Sequence, residues 1–296
     1  MRSHAVNIYR TVSRATAPGG TLERVTTDTG YVLGHNDPEV ERLLLQGRLY
    51  RTHTEHALRL AGLDTGMRVL DVGCGAGDVA MAAARIVGPA GSVTAVDAQA
   101  SILDVAEQRA REAELPWITF RHTTVEEVTA AEPFDAVTGR LLLMHLPDPV
   151  AAVRTVAGLV RPGGVVTFQE FEASAARSVP QTPLFTRVLD LVLAAFRGAG
   201  AATEMGTSLP RVFRGAGLPS PSLTMGGCLG PLSDPDVLRF VVGTWRSLLP
   251  AALRLGLDLD DEVTDLDRLG ARLAADTGDG IVVLPPLVSA WSRVPG

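Results

Sequence analysis

From residue 67 onward, short apolar runs alternate with longer stretches whose apolar positions recur at helical spacing. Runs at 67–72, 92–97, 118–121, 134–138 and 165–170 are bounded by glycine, proline or charged residues, as strands buried on both faces of a parallel sheet are. Between them, 78–87, 101–114 and 149–159 predict helices, the last followed by a turn at "RPGG". This alternation predicts an α/β fold, a doubly wound and mostly parallel sheet with right-handed crossovers. Ligands of such sheets sit at the carboxyl ends of the strands.

Three regions fall outside that pattern. Residues 1–60 hold a loop, "TGYVLGHNDPEV", and a helical run beginning at "PEVERLLLQGRLY", with proline at the helix start where capping favours it. In "PQTPLFTRVLDLVLAAFRGAG", Phe185, Val188, Leu189, Val192 and Phe196 share one helical face. Residues 234–276 predict two further helical segments before the final apolar run "IVVLPPLVSAW". The expected organisation is an N-terminal helical cover (1–60), an α/β core (61–171), and lid helices with the completion of the sheet (172–296).

Composition narrows the chemistry. No stretch of about 18 uninterrupted apolar residues occurs, and the N-terminus lacks a secretory pattern, so a cytoplasmic protein with no membrane partner is expected. The 27 basic residues are all arginine, which removes Schiff-base lysines and a phosphate-loop lysine from consideration. That bias, with abundant Ala, Gly and Val, also points to a GC-rich bacterial genome. A net charge of −6, with no arginine cluster interleaved with aromatics, argues against a nucleic-acid partner and for a small molecule. Cys74 and Cys228 are too few for a disulfide framework and lack metal-ligand spacing.

The most informative stretch is "VLDVGCGAGDVA" (69–80). Gly73, Gly75 and Gly77 follow a strand and precede a helix, so the backbone can turn tightly and present its amides to a ligand. A dinucleotide fingerprint is disfavoured because Asp78 would place a carboxylate near a pyrophosphate. A cofactor without phosphate and with positive charge remains. Together with "VTAVDAQASIL", "FDAVTGRLLLMHLPDP" and "LVRPGGVVTFQE", the stretch resembles the class I S-adenosylmethionine-dependent methyltransferases over roughly residues 60–171. The resemblance implies a seven-stranded sheet with the last strand antiparallel, its C-terminal strands near 222–229 and 281–288.

It also implies residue roles. Asp71 would face the cofactor's ammonium group, and Asp97 would accept hydrogen bonds from both ribose hydroxyls. Ala98 and Gln99 would flank the adenine, with Ile102 nearby or simply in the helix core. Thr124 stands where the family often has an acid binding the adenine amine, with Val125 after it, and a hydroxyl accepts that bond more weakly than a carboxylate. Arg140 could hold the cofactor's carboxylate or brace Asp71 or Glu170. Tyr31, Gly34 and Gln46 belong to the cover expected over the methionine end.

For chemistry on an oxygen, His145 is the leading base candidate against a turn-capping role, with Glu170 and His35 behind it. Phe171, Phe185, Phe196 and Trp245 suit either a site for a sizeable, partly hydrophobic metabolite or the lid's own core, with a homodimer interface as a further use. Four readings stay open: methyl transfer to a small molecule in biosynthesis, a cofactor-dependent cyclisation or rearrangement without methyl transfer, a macromolecular methyltransferase, and a non-catalytic cofactor-binding partner.

Overall fold

The computed structural model describes residues 38–296. Strands β1 (Arg68–Val72), β2 (Ser92–Asp97), β3 (Ile118–His122), β4 (Phe134–Arg140) and β5 (Val160–Phe171) alternate with helices α2 (Asp78–Val87), α3 (Ala100–Glu112) and α4 (Pro149–Ala157), after an initial α1 (Pro38–Ala61). The periodicity therefore located each core element, with ends differing by a few residues. β5 is longer than expected: it takes in the "RPGG" segment, with a register irregularity opposite Phe134 and Ala136.

Beyond the core, β6 (Arg177–Val179), α5 (Pro183–Gly198), α6 (Met205–Gly215), β7 (Ser222–Gly226), β8 (Leu229–Gly230), α7 (Pro235–Arg254), α8 (Asp261–Thr264), α9 (Leu266–Thr277), β9 (Ile281–Val283) and β10 (Leu287–Arg293) complete the chain. The seven-stranded sheet runs β3-β2-β1-β4-β5-β10-β7. Its first five strands pair in parallel, and β10 lies antiparallel between β5 and β7.

Two strand expectations are corrected. The 281–288 segment is not one strand: β9 ends before Pro285-Pro286, and β10 begins after it. Proline offers no amide to a ladder and has a fixed φ, so the pair splits the apolar run. β9 joins β6 and β8 in a separate antiparallel sheet. Likewise 222–229 divides into β7 and β8 around Gly227. Helix α6 was not foreseen, because "MGTSLPRVFRG" carries an internal proline and two glycines. Its buried Leu209, Val212 and Phe213 nevertheless cover the sheet, with Phe213 edge-on to Phe168 at 6.4 Å.

Three apolar clusters hold the molecule. One lies between the sheet and α4 and α6, and another between the sheet and α1, α2 and α3. The third joins α1, α5, α7 and α9. The amphipathic faces outside the sheet thus bury one another, as the breadth of the apolar face on α5 requires. Leu141 and Phe196 pack against both this layer and the α4/α6 cluster. No described helix is long and apolar enough to cross a membrane.

Candidate active site

The glycine turn between β1 and α2 is built as its sequence demands. Gly73, Gly75 and Gly77 adopt φ of +67°, +50° and +84°, left-handed values that cost other residues free energy. At Gly73 a Cβ would lie 2.9 Å from Leu142 Cδ1, so this position is closed sterically as well. At Gly75 an added Cβ would meet nothing within 4 Å, so the space on that side of the turn is open to an incoming group.

Asp97, at the end of β2, faces this turn. Its Oδ2 accepts from the Gly75 amide at 2.8 Å and its Oδ1 from the Gln99 amide at 2.9 Å. Each oxygen keeps acceptor capacity on its other lone pair. Ala98 and Gln99 are exposed beside it, while Ile102 is buried in α3. Farther along the edge, the Thr124 carbonyl accepts from the Val128 amide at 3.1 Å and opens a turn, and Val125 packs into the core.

Asp71 is wholly buried, and neither carboxylate oxygen has a hydrogen-bond partner. Burial pushes its carboxyl up from 3.8 to about 8, against the pull of the Arg140 charge. Thr138 and Thr167 follow it in register across β4 and β5, and their hydroxyls are also buried without partners. Buried polar atoms of this kind are rare and mark places where a ligand or water is needed.

Arg140, at the end of β4, contacts neither Asp71 nor Glu170 directly. Its Nη1 donates to Thr54 Oγ1 at 3.0 Å, and its Nη2 lies 3.9 Å from Asp78 Oδ2. Thr54 in turn donates to Gln169 Oε1 at 3.0 Å. Gln46, also on α1, is buried and accepts from Arg42 at 3.0 Å. Tyr31, Gly34 and His35 lie outside the described residues.

Glu170, the second base candidate, is held by backbone amides. Its Oε1 accepts from the amides of Leu142 and Leu143 at 3.0 and 2.8 Å, and its Oε2 from Met144 at 3.3 Å. Burial pushes this carboxyl up to about 8 while the three amides pull it down. They also occupy it: Glu170 anchors the loop after β4, where Leu141 takes a left-handed φ of +55°. His145 ends the short turn on that loop, with desolvation by the surrounding protein and then the Arg42 charge lowering its imidazole. Of the aromatic candidates, Trp245 is fully buried and donates to the Val263 carbonyl at 2.7 Å, and Phe171 and Phe185 are buried too. Phe196 is half-buried.

Sequence reasoning missed Glu170's anchoring role and the ion-pair cluster at Asp78. Asp78 was legible as the first residue of a helix after glycine, but its partner Arg109 lies 31 residues away on another helix. Periodicity carries no signal for that pairing. Among the described residues no group of three or more His, Cys, Asp or Glu is placed to hold a metal.

Comparisons with known proteins agree with this geometry. Residues 63–191 match the family model described as a methyltransferase domain. The ubiquinone biosynthesis O-methyltransferase of Albidiferax ferrireducens is 38% identical over 137 residues, covering 44% of this chain and 53% of that protein. The chain thus spans about half the length of the curated relatives it matches. In fold, a Bacillus halodurans C-125 protein provisionally assigned as a methyltransferase matches with a TM-score of 0.55 at 17% identity, covering 83% of this chain and all of that one. The YcgJ protein of Bacillus subtilis gives 0.52 at 18% identity with the same coverage. Residues 63–191 are thus similar to a methyltransferase domain, and the fold of the chain is that of these two solved structures.

Proposed function

We propose that this protein is an S-adenosylmethionine-dependent methyltransferase that methylates an oxygen of a small, partly hydrophobic molecule. The observation that carries the reading is the pairing of an open glycine backbone at Gly75 with two carboxylates at adjacent strand ends. Asp97 has free acceptor sites for a ribose diol, and the unpartnered Asp71 suits a nearby ammonium group. Ala98 and Gln99 stand where the adenine would lie, with Thr124 and Val125 at its far edge. Arg140, its side chain 7% exposed and with one hydrogen bond at 3.0 Å, has donors to spare for a carboxylate. These residues fit the cofactor, which supplies a sulfonium-activated methyl when bound.

The chain's own part is positioning and exclusion of water. The cap of α1, α5, α7 and α9 supplies the enclosure, and His145 is the proposed acceptor of the hydroxyl proton at an imidazole nitrogen. Its lowered pKa keeps that nitrogen free at neutral pH. Oxygen as the acceptor, and a quinone precursor as its bearer, are supported by the name of the curated relatives, ubiquinone biosynthesis O-methyltransferase. The family model ends at residue 191, so α7 and α9 lie beyond it. A specialised metabolite of similar size and apolarity is therefore the substrate to test alongside.

Asp97→Ala should weaken binding of S-adenosylhomocysteine by about 1.5–3 kcal/mol, the scale of lost charge-assisted hydrogen bonds. Calorimetry reads this, and unchanged affinity would sink the assignment. Incubation with phenolic quinone precursors should yield S-adenosylhomocysteine and O-methylated product in equal amounts. Substrate conversion without S-adenosylhomocysteine would indicate rearrangement instead.

A further inference from the structure

Asp78 is a carboxylate at the proposed cofactor site to which the chemistry assigns no task. It opens α2 directly after the left-handed Gly77, and its side chain is 14% exposed. Two helices and a strand converge on it. Arg109 of α3 donates Nη2 to Asp78 Oδ1 at 2.7 Å and Nη1 to the Ala76 carbonyl inside the turn. Arg140 of β4 faces Oδ2 at 3.9 Å and ties back to Thr54 of α1. From α1, Gly47 lies so close that a Cβ there would sit 2.3 Å from the Asp78 carboxyl carbon. Arg51, Thr54 and Arg85 line the narrow crevice at the same contact.

We propose that Asp78 is a positioning residue, which sets the glycine turn through Arg109 and seats α1 on that turn, with Gly47 as the gap through which the helix closes. The inference rests on the reading that the turn holds S-adenosylmethionine. A carboxylate is favourable at the first turn of a helix. Here two guanidinium groups fix its rotamer, so it cannot swing aside for a methyl group on α1. Gly47 makes the point sharper. Glycine inside a helix is disfavoured relative to alanine, so at an unconstrained position Gly47→Ala would strengthen α1. The contact with Asp78 reverses the expected sign.

The test uses the full chain as wild type, Gly47→Ala, Asp78→Ala and the double variant, with S-adenosylhomocysteine as probe. Gly47→Ala should bind about tenfold more weakly and show faster hydrogen exchange in α1 even without ligand. Asp78→Ala should weaken binding too, but on that background Gly47→Ala should cost nothing more, because the methyl fills the space the carboxylate left. Should Gly47→Ala fail to fold, folding restored in the double variant supports the proposal, and failure of both overturns it. Wild-type affinity and α1 exchange in Gly47→Ala, or equal costs on both backgrounds, would also overturn it while leaving the cofactor reading intact. A wild type that does not bind the probe overturns the cofactor reading and this inference with it.

Discussion

At the scale of single residues, the carboxylates divide by what surrounds them. Asp97 is satisfied by two amides and keeps room for more, Glu170 is filled by three amides, and Asp71 has no partner at all. For Asp71 this has a measurable result. With its carboxyl pushed up to about 8 it carries its proton at pH 7, and a cationic ammonium placed beside it would favour the carboxylate. Binding of S-adenosylhomocysteine at pH 7 should therefore release close to one proton, read by calorimetry in buffers of differing ionisation enthalpy. Asp71→Asn should abolish the release. The sign for stability follows from the same shift. A carboxyl whose folded pKa is raised contributes fully below its ordinary value of 3.8, and that contribution is lost as pH rises toward about 8. Asp71→Asn should accordingly flatten the fall in thermal stability across that window, as scanning calorimetry would show.

At the scale of elements, the loop after β4 depends on β5. Leu142, Leu143 and Met144 turn their amides onto Glu170, and Leu141 donates its own amide to the Gln169 carbonyl at 2.9 Å. Leu142 also packs where a side chain at Gly73 would have to go. The loop, the glycine turn and His145 are thus parts of one arrangement. Replacing Glu170 by glutamine turns one acceptor oxygen into an amide that faces an N–H donor, so Glu170→Gln should destabilise the fold by about 1–3 kcal/mol. Denaturant unfolding measures that. If Glu170 were instead a proton acceptor free of the loop, stability would hold and only turnover would fall.

Across the whole molecule, the proposed function gives the sheet the cofactor end and the cap the enclosure. α1 belongs to both, packing on α2 and on α7. Substrate selection by the cap predicts motion in it, since a cap that encloses a substrate has to open to admit it. Hydrogen exchange with S-adenosylhomocysteine bound should show protection gained at residues 39–50 and 180–200, beyond that at the glycine turn. Protection confined to 73–97 would make the cap a static appendage and move substrate selection elsewhere.

What the sequence determined by itself was the part governed by local repetition. The strands and helices of 68–171 follow from apolar periodicity and glycine punctuation. The glycine turn was legible because its residues are contiguous, and Asp97 because it ends the next strand. Tertiary structure decided what depends on distant partners or on conflicting local signals. Helix α6 forms despite Pro210 because Leu209, Val212 and Phe213 gain burial against the sheet. The last strand begins at Leu287 because the proline pair ends one run and starts another. Glu170 became an anchor because the loop beyond β4 folds back across the end of β5. Asp78, Arg109, Arg140 and Gly47 meet from four elements, an arrangement that no spacing along the chain encodes, since only packing brings those elements together.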